Sequence, residues 1–480
     1  MAGRRVFSGM AVALCIFAGR ATPGFAANPS AASPVTGRLP YAASVGTQPQ
    51  APRPAEAAGY TASTYLTQPE HLAEAGPFSN PAPVEKLVEY GLANNPEVQA
   101  ARHRASALAH RIPQVESLPD PHLLTNVFLE EIQTAAGPQQ LAMSLSQKFP
   151  WFGKRALRSE VAHYDALAAY SRVITTELEV AERVKKAYYD LYFVERATAE
   201  TRQIEKLLED VIEVTERRYR TGVGETGLHD VLQVQNELSK LRTSLVQLEQ
   251  SARQARARLL AVLHLPQATP VATEPIADRA RLAHRAEVLL GMADRWQPEL
   301  EAWRREAARD RTAVEVARRE YWPDVTMTMN WFQMGSAGLS PVADGRDAFS
   351  LGVGVNLPIY RNRLDAAVRE AQCQAAATAR RYAATQDQFH AEVQSLHAQF
   401  TEHDRVLEIL QEQIVPRATE TFELVAEAYR TGRADFQQLL DTYRTLLQYR
   451  IEVHRREAVR EHTIASLERA VGATVTKPIQ

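Results

Sequence analysis

The longest uninterrupted helical segment constrains the fold of this chain more than any other feature. Residues 154–221 contain neither glycine nor proline. As one helix they would extend about 100 Å, at a rise of about 1.5 Å per residue. A helix of this length exceeds the width of a globular domain, so the 480 residues are not expected to form two or three compact domains. The sequence predicts a mainly α-helical, elongated protein.

Two further segments carry a hydrophobic heptad pattern, with apolar residues alternately three and four positions apart. This spacing is typical of helices that coil around each other with a left-handed twist. In the second pattern, one of the apolar positions is occupied by His403. We interpret His403 as a polar residue of the packing seam rather than a metal ligand. Pro416 removes one backbone hydrogen bond and is expected to bend the second helix. The patterns comprise Val231, Val234, Leu238, Leu241, Leu245, Leu248, Ala252, Ala255, Leu259 and Val262, and then Phe389, Val393, Leu396, Phe400, His403, Leu407, Leu410 and Ile414.

The chain is internally duplicated, with an offset of about 200 to 210 residues. Each half reads as helix, strand pair, very long helix, tight turn and long helix. We expect a first repeat over 84–265, a proline-containing linker over 266–282, a second repeat over 283–472 and a tail over 473–480. The matched motifs are Asn95-Pro96-Glu97 with Gln297-Pro298-Glu299, Leu118-Pro119-Asp120 with Trp322-Pro323-Asp324, Lys148-Phe149-Pro150 with Asn356-Leu357-Pro358, and Tyr219-Arg220-Thr221-Gly222 with Tyr429-Arg430-Thr431-Gly432.

Four segments between the helices alternate apolar with small or polar residues, which predicts β-strands. They cover about residues 121–130, 139–149, 325–334 and 348–357. Their length of about ten residues suits a tilted strand that crosses a membrane, but a soluble half-buried sheet has the same alternation. Aromatic residues at the strand boundaries favour the membrane: Trp151, Phe152, Tyr321, Trp322 and Tyr360.

Four strands are too few to close a barrel, which needs about eight or more, and open sheet edges are not tolerated in lipid. A membrane-spanning form of this chain must therefore oligomerise. Three copies would supply twelve strands, and the coiled helices would continue as a tube on one side.

The amino terminus has the features of an export signal. Residues 1–27 combine Arg4 and Arg5 with an apolar core and a small-residue cleavage site. Lipidation of Cys15 is not expected, because this cysteine lies inside the apolar core and follows a leucine. Residues 28–83 are rich in alanine and proline and are predicted to form an extended or disordered leader.

Several functions conflict with the composition. The chain has 55 Lys and Arg against 57 Asp and Glu, so it lacks the global positive charge of a nucleic-acid-binding protein. We find no nucleophile elbow, phosphate loop or paired-cysteine metal motif, so neither an enzyme nor a cofactor is expected. His390, His397 and His403 are spaced about 10 Å apart on one helix, too far to share a metal ion.

The segment Ser146-Gln147-Lys148-Phe149-Pro150-Trp151-Phe152-Gly153-Lys154-Arg155 and the two Tyr-Arg-Thr-Gly turns, within the duplicated plan, resemble the TolC family of outer-membrane efflux channels. The resemblance implies a homotrimer with a twelve-stranded barrel in outer-membrane lipid and a periplasmic α-helical barrel. It also implies a periplasmic adaptor and an inner-membrane pump as partners. The Phe-Pro-Trp-Phe-Gly-Lys segment looks most like members that work with heavy-metal pumps of the resistance-nodulation-division type. The alternative hypothesis is a soluble periplasmic coiled-coil adaptor or scaffold.

The resemblance also implies candidate functional residues. It places the helix-joining turns at the periplasmic tip that meets the adaptor, and a ring of acidic side chains just beyond them as a gate. Asp230 and Asp441 are the matching acids, although extra residues in the first repeat leave the alignment of Asp230 open. A solvated or capping role is the alternative for either acid. The candidate contacts are Arg220, Thr221, Gly222, Arg430, Thr431 and Gly432.

Overall fold

A computed structural model describes residues 81–134, 136–221, 228–276, 281–335 and 345–476. The predicted signal (1–27) and almost all of the predicted leader (28–83) lie outside these ranges. Most of the described residues are helical. The elements are α1 (Val84–Asn94), α2 (Pro96–Glu116), β1 (His122–Thr134), β2 (Gly137–Phe149), α3 (Lys154–Thr221), α4 (Leu228–Leu263), α5 (Ala286–Trp296), α6 (Pro298–Arg319), β3 (Val325–Met334), β4 (Ala348–Val355), α7 (Arg361–Ile409), α8 (Val415–Arg430) and α9 (Phe436–Val471).

Each half opens with two helices, where the sequence led us to expect one. The break lies at the repeated Asn/Gln-Pro-Glu motif. Asn95 caps α2 because its side chain accepts a hydrogen bond from the backbone N–H of Glu97 (2.8 Å), and Gln297 caps α6 through Glu299 (3.2 Å). Proline then occupies the first helical position, where its missing N–H costs nothing. The motif is repeated because each copy starts a helix.

The first long helix is continuous over its 68 residues. At about 1.5 Å per residue, its two ends are about 100 Å apart. It packs along α4 through the first heptad pattern, of which Val234 and Leu259 are fully buried. Because β2 ends five residues before α3 begins, the sheet and the helix-joining turn lie at opposite ends of this helix.

The second long helical run contains an irregularity close to the expected position. A π-helical turn, Leu410–Ile414, separates α7 from α8 and ends two residues before Pro416. Proline cannot donate a backbone hydrogen bond, and a wider turn accommodates the unpaired carbonyl. The second heptad pattern packs against α9, with Val393, Phe400 and Leu407 buried.

The strands form one antiparallel sheet in the order β1-β2-β3-β4. The observed β1 extends to Thr134, past an irregularity in its pairing between Val127 and Ile132. In contrast, β4 ends two residues before the expected limit. There the Asn356 backbone N–H donates to the Asp324 carbonyl (3.3 Å), and its side chain accepts from the Asp324 N–H. Within the described ranges, no helix is both long and apolar enough to cross a bilayer.

Candidate functional site

One face of the sheet is apolar and exposed. On β4, the side chains of Phe349, Leu351, Val353 and Val355 point to this face, and Leu351 is 65% exposed. Directly opposite on β3 are Trp331, Met329, Met327 and Val325. Leu145 of β2 and Leu123 of β1 continue the same face. Such a surface would normally be covered in a soluble protein.

The other face of the sheet carries small and polar side chains. Successive cross-strand pairs are Thr326 with Gly354, Thr328 with Gly352 and Asn330 with Ser350. The amide of Asn330 donates to the Ser350 hydroxyl (3.1 Å). In the part of the chain that the structure describes, the strands pack on one another and no helix covers either face. The sheet therefore separates an apolar surface from a water-compatible one.

A buried lysine joins the sheet to the helices. Lys154, the first residue of α3, is fully buried, and its Nζ lies 2.8 Å from Asp324 Oδ1. The same ammonium donates to the Trp322 carbonyl (2.9 Å) and lies 3.3 Å from Glu320. Lys148 reaches the second oxygen of Asp324 (3.0 Å). These contacts connect the first repeat with the second.

The Asp324 carboxylate is held in its charged form. Burial alone would raise its pKa, but hydrogen bonds from Lys154, Lys148 and the Trp151 backbone N–H outweigh this effect and lower the pKa to about 2. Asp324 thus stays ionised at neutral pH, just before β3 begins. The sequence predicted neither this carboxylate nor Lys154 as important, although both lie in motifs that it singled out.

The predicted boundary aromatics cluster at this same junction. The rings of Trp151 and Trp322 stack with their centroids 5.3 Å apart, and Phe152 meets Trp151 edge-on at 5.8 Å. Tyr321 donates to Asp365, and Tyr360 is exposed. Phe152 and Trp322 are also exposed, and they lie three residues from the end of β2 and from the start of β3, respectively.

The far ends of α3 and α8 are bound to each other. Arg218 donates to the carbonyl of Tyr429 (2.6 Å), and its guanidinium lies 4.6 Å from the centre of the tyrosine ring. The Tyr429 hydroxyl lies 2.8 Å from the Thr215 hydroxyl. Burial raises the pKa of Tyr429, so the phenol stays protonated. This contact fixes the end of α8, in the second repeat, on the end of α3, in the first.

The two repeated tetrapeptides have different surroundings. Tyr429 is 3% exposed, whereas its counterpart Tyr219 is 46% exposed. Gly432 adopts a left-handed conformation (φ 81°), which glycine supplies without strain at a helix end. Gly222 lies outside the described residues.

The remaining candidate tip residues are exposed. Arg220 pairs with Glu216 (3.3 Å) and Arg430 with Glu427 (3.6 Å), each on its own helix. The hydroxyls of Thr221 and Thr431 donate to backbone carbonyls one turn earlier. Their contacts are thus local, and the arginine side chains remain accessible.

The candidate gate acids lie on neighbouring helices, α4 and α9. Asp230 is half-buried in the first turn of α4. Asp441 is exposed and accepts from Gln437 (3.2 Å) and Arg444 (3.3 Å). A bridge between the two helices lies close to both acids, because Gln233 of α4 donates to Gln437 (2.9 Å). The structure therefore brings both acids to the same end of the helix pair.

A histidine network lies where the π-helical turn meets α9. His454 Nδ1 is 2.9 Å from Glu457 and its Nε2 is 3.6 Å from Glu200. Burial would lower the pKa of His454, but the two carboxylates raise it to about 9. Glu457 also accepts from Tyr192 (2.8 Å) and from Gln411 in the π-helical turn (2.9 Å). Sequence inspection missed this network, since its members lie on separate helices.

Of the histidines considered as metal ligands, His390 binds Asp294 (2.8 Å) and His403 lies in the α7 seam. Over the described ranges, no group of three or more His, Cys, Asp or Glu side chains is arranged to hold a metal ion.

Comparison with known proteins gives one family. Residues 87–263 and 289–473 match the family described as outer membrane efflux protein. Over 229 residues, the chain is 27% identical to Protein CyaE of Bordetella pertussis. This match covers 46% of the chain and 47% of CyaE, so the chain spans about half the length of that relative.

Solved structures have the same fold. The outer membrane protein VceC of Vibrio cholerae superposes with a TM-score of 0.66 at 20% identity, over 81% of this chain and 96% of VceC. The open state of the MtrE outer membrane channel of Neisseria gonorrhoeae superposes with a TM-score of 0.65 at 17% identity, over 82% of this chain and 89% of MtrE.

Proposed function

The chain belongs to the outer membrane efflux protein family, and from this membership we propose that it is the outer-membrane channel of a tripartite efflux system. In this role it passively conducts substrates from an inner-membrane pump and a periplasmic adaptor to the cell exterior. The proposed pump is of the resistance-nodulation-division type, because the segment 149–154 resembles members that work with heavy-metal pumps of that type.

The observation that carries this proposal is the two-faced sheet. Leu351 and Val353 belong to an exposed apolar face, whereas Gly352 and Ser350 between them belong to a polar face. This is the pattern of a barrel wall with lipid outside and water inside. The stacked rings of Trp151 and Trp322 lie beside the end of β2 and the start of β3, as expected at a membrane interface.

The proposed oligomer is a homotrimer. Both outer strands, β1 and β4, have one edge without a described partner strand. Unpaired backbone groups are costly in hydrocarbon, so a sheet in lipid must close. Three copies give twelve strands. Exposed apolar residues on the helices, Leu228 and Leu232 on α4 and Leu424 on α8, are consistent with neighbouring copies packing side by side.

The helices continue the conduit into the periplasm in this proposal. The end of α3 lies about 100 Å from the sheet and the end of α8 is bound to it, so the helix ends project far from the proposed membrane-spanning part. Arg220 and Arg430 are exposed at these ends and would contact the adaptor. Asp230 and Asp441 would each appear three times around the axis, and such rings of like charge repel one another and favour cations.

Native mass spectrometry of the mature protein, extracted in detergent from the outer-membrane fraction, tests the proposal. We expect a mass of three chains and single-channel conductance in planar bilayers. A monomer recovered only from the soluble periplasm would overturn the channel assignment, and the soluble adaptor or scaffold would then be the better hypothesis. The comparisons give no support to that alternative.

A further inference from the structure

The exit of each hairpin presents an exposed aromatic residue just before the next long helix. Phe152 follows β2 by three residues and is 83% exposed. Tyr360 follows β4 by five residues and is 73% exposed. The two positions are equivalent in the sequence repeat, in which residues 148–150 match residues 356–358. The exposed ring is therefore a feature of both repeats.

An arginine lies beside the first of these aromatic residues. Arg319 ends α6, is exposed, and donates from Nη1 to the Phe152 carbonyl (3.2 Å). It lies against the backbone of Gly153, where an added Cβ would be 3.5 Å from the guanidinium. Gly153 has a left-handed conformation (φ 83°), which glycine adopts without steric cost. This turn therefore holds the guanidinium next to the residue that carries the exposed ring.

A second arginine lies beside the other aromatic residue. Arg361 directly follows Tyr360 and is exposed. Its guanidinium lies 5.4 Å from the centre of the Tyr321 ring. The Tyr321 hydroxyl donates to Asp365, one turn further along α7. Each hairpin exit thus combines an exposed aromatic side chain with an exposed guanidinium.

Neither guanidinium is neutralised within the described part of the chain. Among the residues that the structure describes, no carboxylate forms an ion pair with Arg319 or Arg361. Glu320, the acid next to Arg319, pairs with Lys154 (3.3 Å) and Arg158 (2.8 Å). Two positive charges therefore face solvent beside exposed aromatic rings.

We propose that Arg319 and Arg361 bind the phosphate groups of anionic phospholipids in the leaflet that faces the periplasm. The inference rests on the proposed channel, in which the sheet crosses the outer membrane and the helices lie on the periplasmic side. Both hairpin exits then lie where lipid headgroups meet acyl chains. A guanidinium suits a phosphate because its N–H groups form a planar fork for two oxygens. Exposed aromatic rings favour the same depth.

The surroundings of the arginines favour a lipid over a free phosphate ion. Leu357 and Ile359, which precede Tyr360, are exposed apolar residues. An acyl chain would cover such side chains and remove them from water, which an inorganic ion cannot do. The headgroup is expected to be anionic, because a zwitterionic lipid carries an ammonium of its own that opposes the arginine.

Native mass spectrometry of the detergent-purified protein with added phospholipid tests the sites. The anionic probe is phosphatidylglycerol and the zwitterionic probe is phosphatidylcholine. The wild type should bind phosphatidylglycerol about fivefold more tightly than phosphatidylcholine. Arg319→Gln combined with Arg361→Gln should need about fivefold more phosphatidylglycerol for the same occupancy, because arginines near an anionic headgroup contribute on this scale. Inorganic phosphate at the same concentration should not displace the lipid.

A matched control removes the same number of charges elsewhere. Arg318→Gln acts on the neighbouring exposed arginine of α6, which pairs with Glu315 (2.7 Å). Arg405→Gln acts far along α7, on an arginine that pairs with Glu408 (2.5 Å). This combined control should bind phosphatidylglycerol as the wild type does. Both double variants should remain trimeric, because each replaces only exposed side chains.

The outcomes separate the lipid sites from the proposed function. If the two double variants bind phosphatidylglycerol equally, or the wild type does not prefer it to phosphatidylcholine, the lipid sites are wrong and the channel assignment stands. Displacement of the lipid by inorganic phosphate would also overturn them. If Arg319→Gln with Arg361→Gln weakens the trimer and leaves lipid binding per trimer unchanged, the arginines contact a second copy. A wild type that is monomeric and absent from the outer membrane would overturn the proposed function itself.

Discussion

Lys154 Nζ lies 2.8 Å from Asp324 Oδ1, although the two residues are 170 positions apart and belong to different repeats. Lys154 starts α3 directly after the first hairpin, and Asp324 precedes the second hairpin. The pair therefore fixes the two hairpins to each other at the base of the sheet. A fully buried ammonium needs such partners, because an unpaired charge in this position would be strongly unfavourable.

Replacing Lys154 by methionine should destabilise the protein by about 3 kcal/mol, because it leaves a mostly buried carboxylate with only one of its two cations. The measurement is the thermal unfolding of detergent-solubilised protein. Arg158→Met is the matched control, because it removes a more exposed ion pair with Glu320 and should cost less than about 1 kcal/mol. Equal melting temperatures for Lys154→Met and the wild type would contradict this role.

The Asp324 pair also predicts an acid dependence. Because the pKa of Asp324 is lowered to about 2 in the fold, its stabilising contribution is present above its ordinary pKa. This contribution is lost as the pH falls towards about 2. The measurement is the free energy of unfolding from pH 5 to pH 2. Asp324→Asn should be less stable than the wild type at pH 5, but its stability should fall less as the pH is lowered.

His454 predicts an alkaline dependence. Its pKa is raised from 6.5 to about 9, so the stabilising interaction with Glu200 and Glu457 is fully present below about pH 6.5 and is lost as the pH rises through about 9. The melting temperature of the wild type should therefore fall between pH 7 and pH 9.5, and that of His454→Gln should fall less. His229→Gln, which changes an exposed histidine of α4, should behave as the wild type. If the melting temperatures of His454→Gln and the wild type fell equally between pH 7 and pH 9.5, the stabilising role of this network would be contradicted.

The contact between the helix ends can be tested with the two repeated tyrosines. Tyr429→Phe removes the hydrogen bond to Thr215 and should destabilise the tip by about 1 kcal/mol. Backbone amides at the tip should then exchange their hydrogens about five times faster. Amides of residues 428–434 report this change. Tyr219→Phe, at the equivalent exposed position, should leave their exchange unchanged. If both variants exchange alike, the Tyr429 hydroxyl does not stabilise the tip.

The two faces of β4 should tolerate charge differently. Leu351→Arg puts a cation on the apolar face and should cost about 2–4 kcal/mol of insertion free energy if that face meets the middle of the bilayer. Ser350→Arg, one residue away on the polar face, is the control and should insert normally. Insertion is measured as the trimer fraction in the outer membrane. If Leu351→Arg and Ser350→Arg inserted equally well, the apolar face of the sheet would not be the one that meets lipid.

The candidate gate predicts a change in conductance. Asp230→Ala combined with Asp441→Ala should raise passive single-channel conductance, because alanine occupies less volume at the constriction and removes the contacts of Asp441 with Gln437 and Arg444. Arg444 retains its pair with Glu237 (2.6 Å), so the helix contact near Asp441 should persist. Asp387→Ala, an exposed acid on α7, is the control. Unchanged conductance in the double variant would exclude these acids from the gate.

Much of the fold could be predicted from the sequence, because it depends on local signals that repeat. The absence of glycine and proline predicts α3 over the residues that the structure shows as one helix. The alternation of residues places four strands in ranges that overlap the observed ones, and β3 has the expected limits. Duplication of the helix-capping motif and of the strand-flanking motifs indicated a chain built twice on one plan.

The surroundings of individual side chains were decided only by the tertiary structure. The repeated tetrapeptide has the same residues in both halves, yet Tyr429 is buried beside Arg218, and Tyr219 is exposed. The pairing of Lys154 with Asp324 depends likewise on which elements meet across the sheet. Periodicity determines which face of an element is apolar, because it acts along one segment of chain. Burial and ion pairing arise between segments some 170 to 211 residues apart, so they follow only from how the two repeats pack against each other.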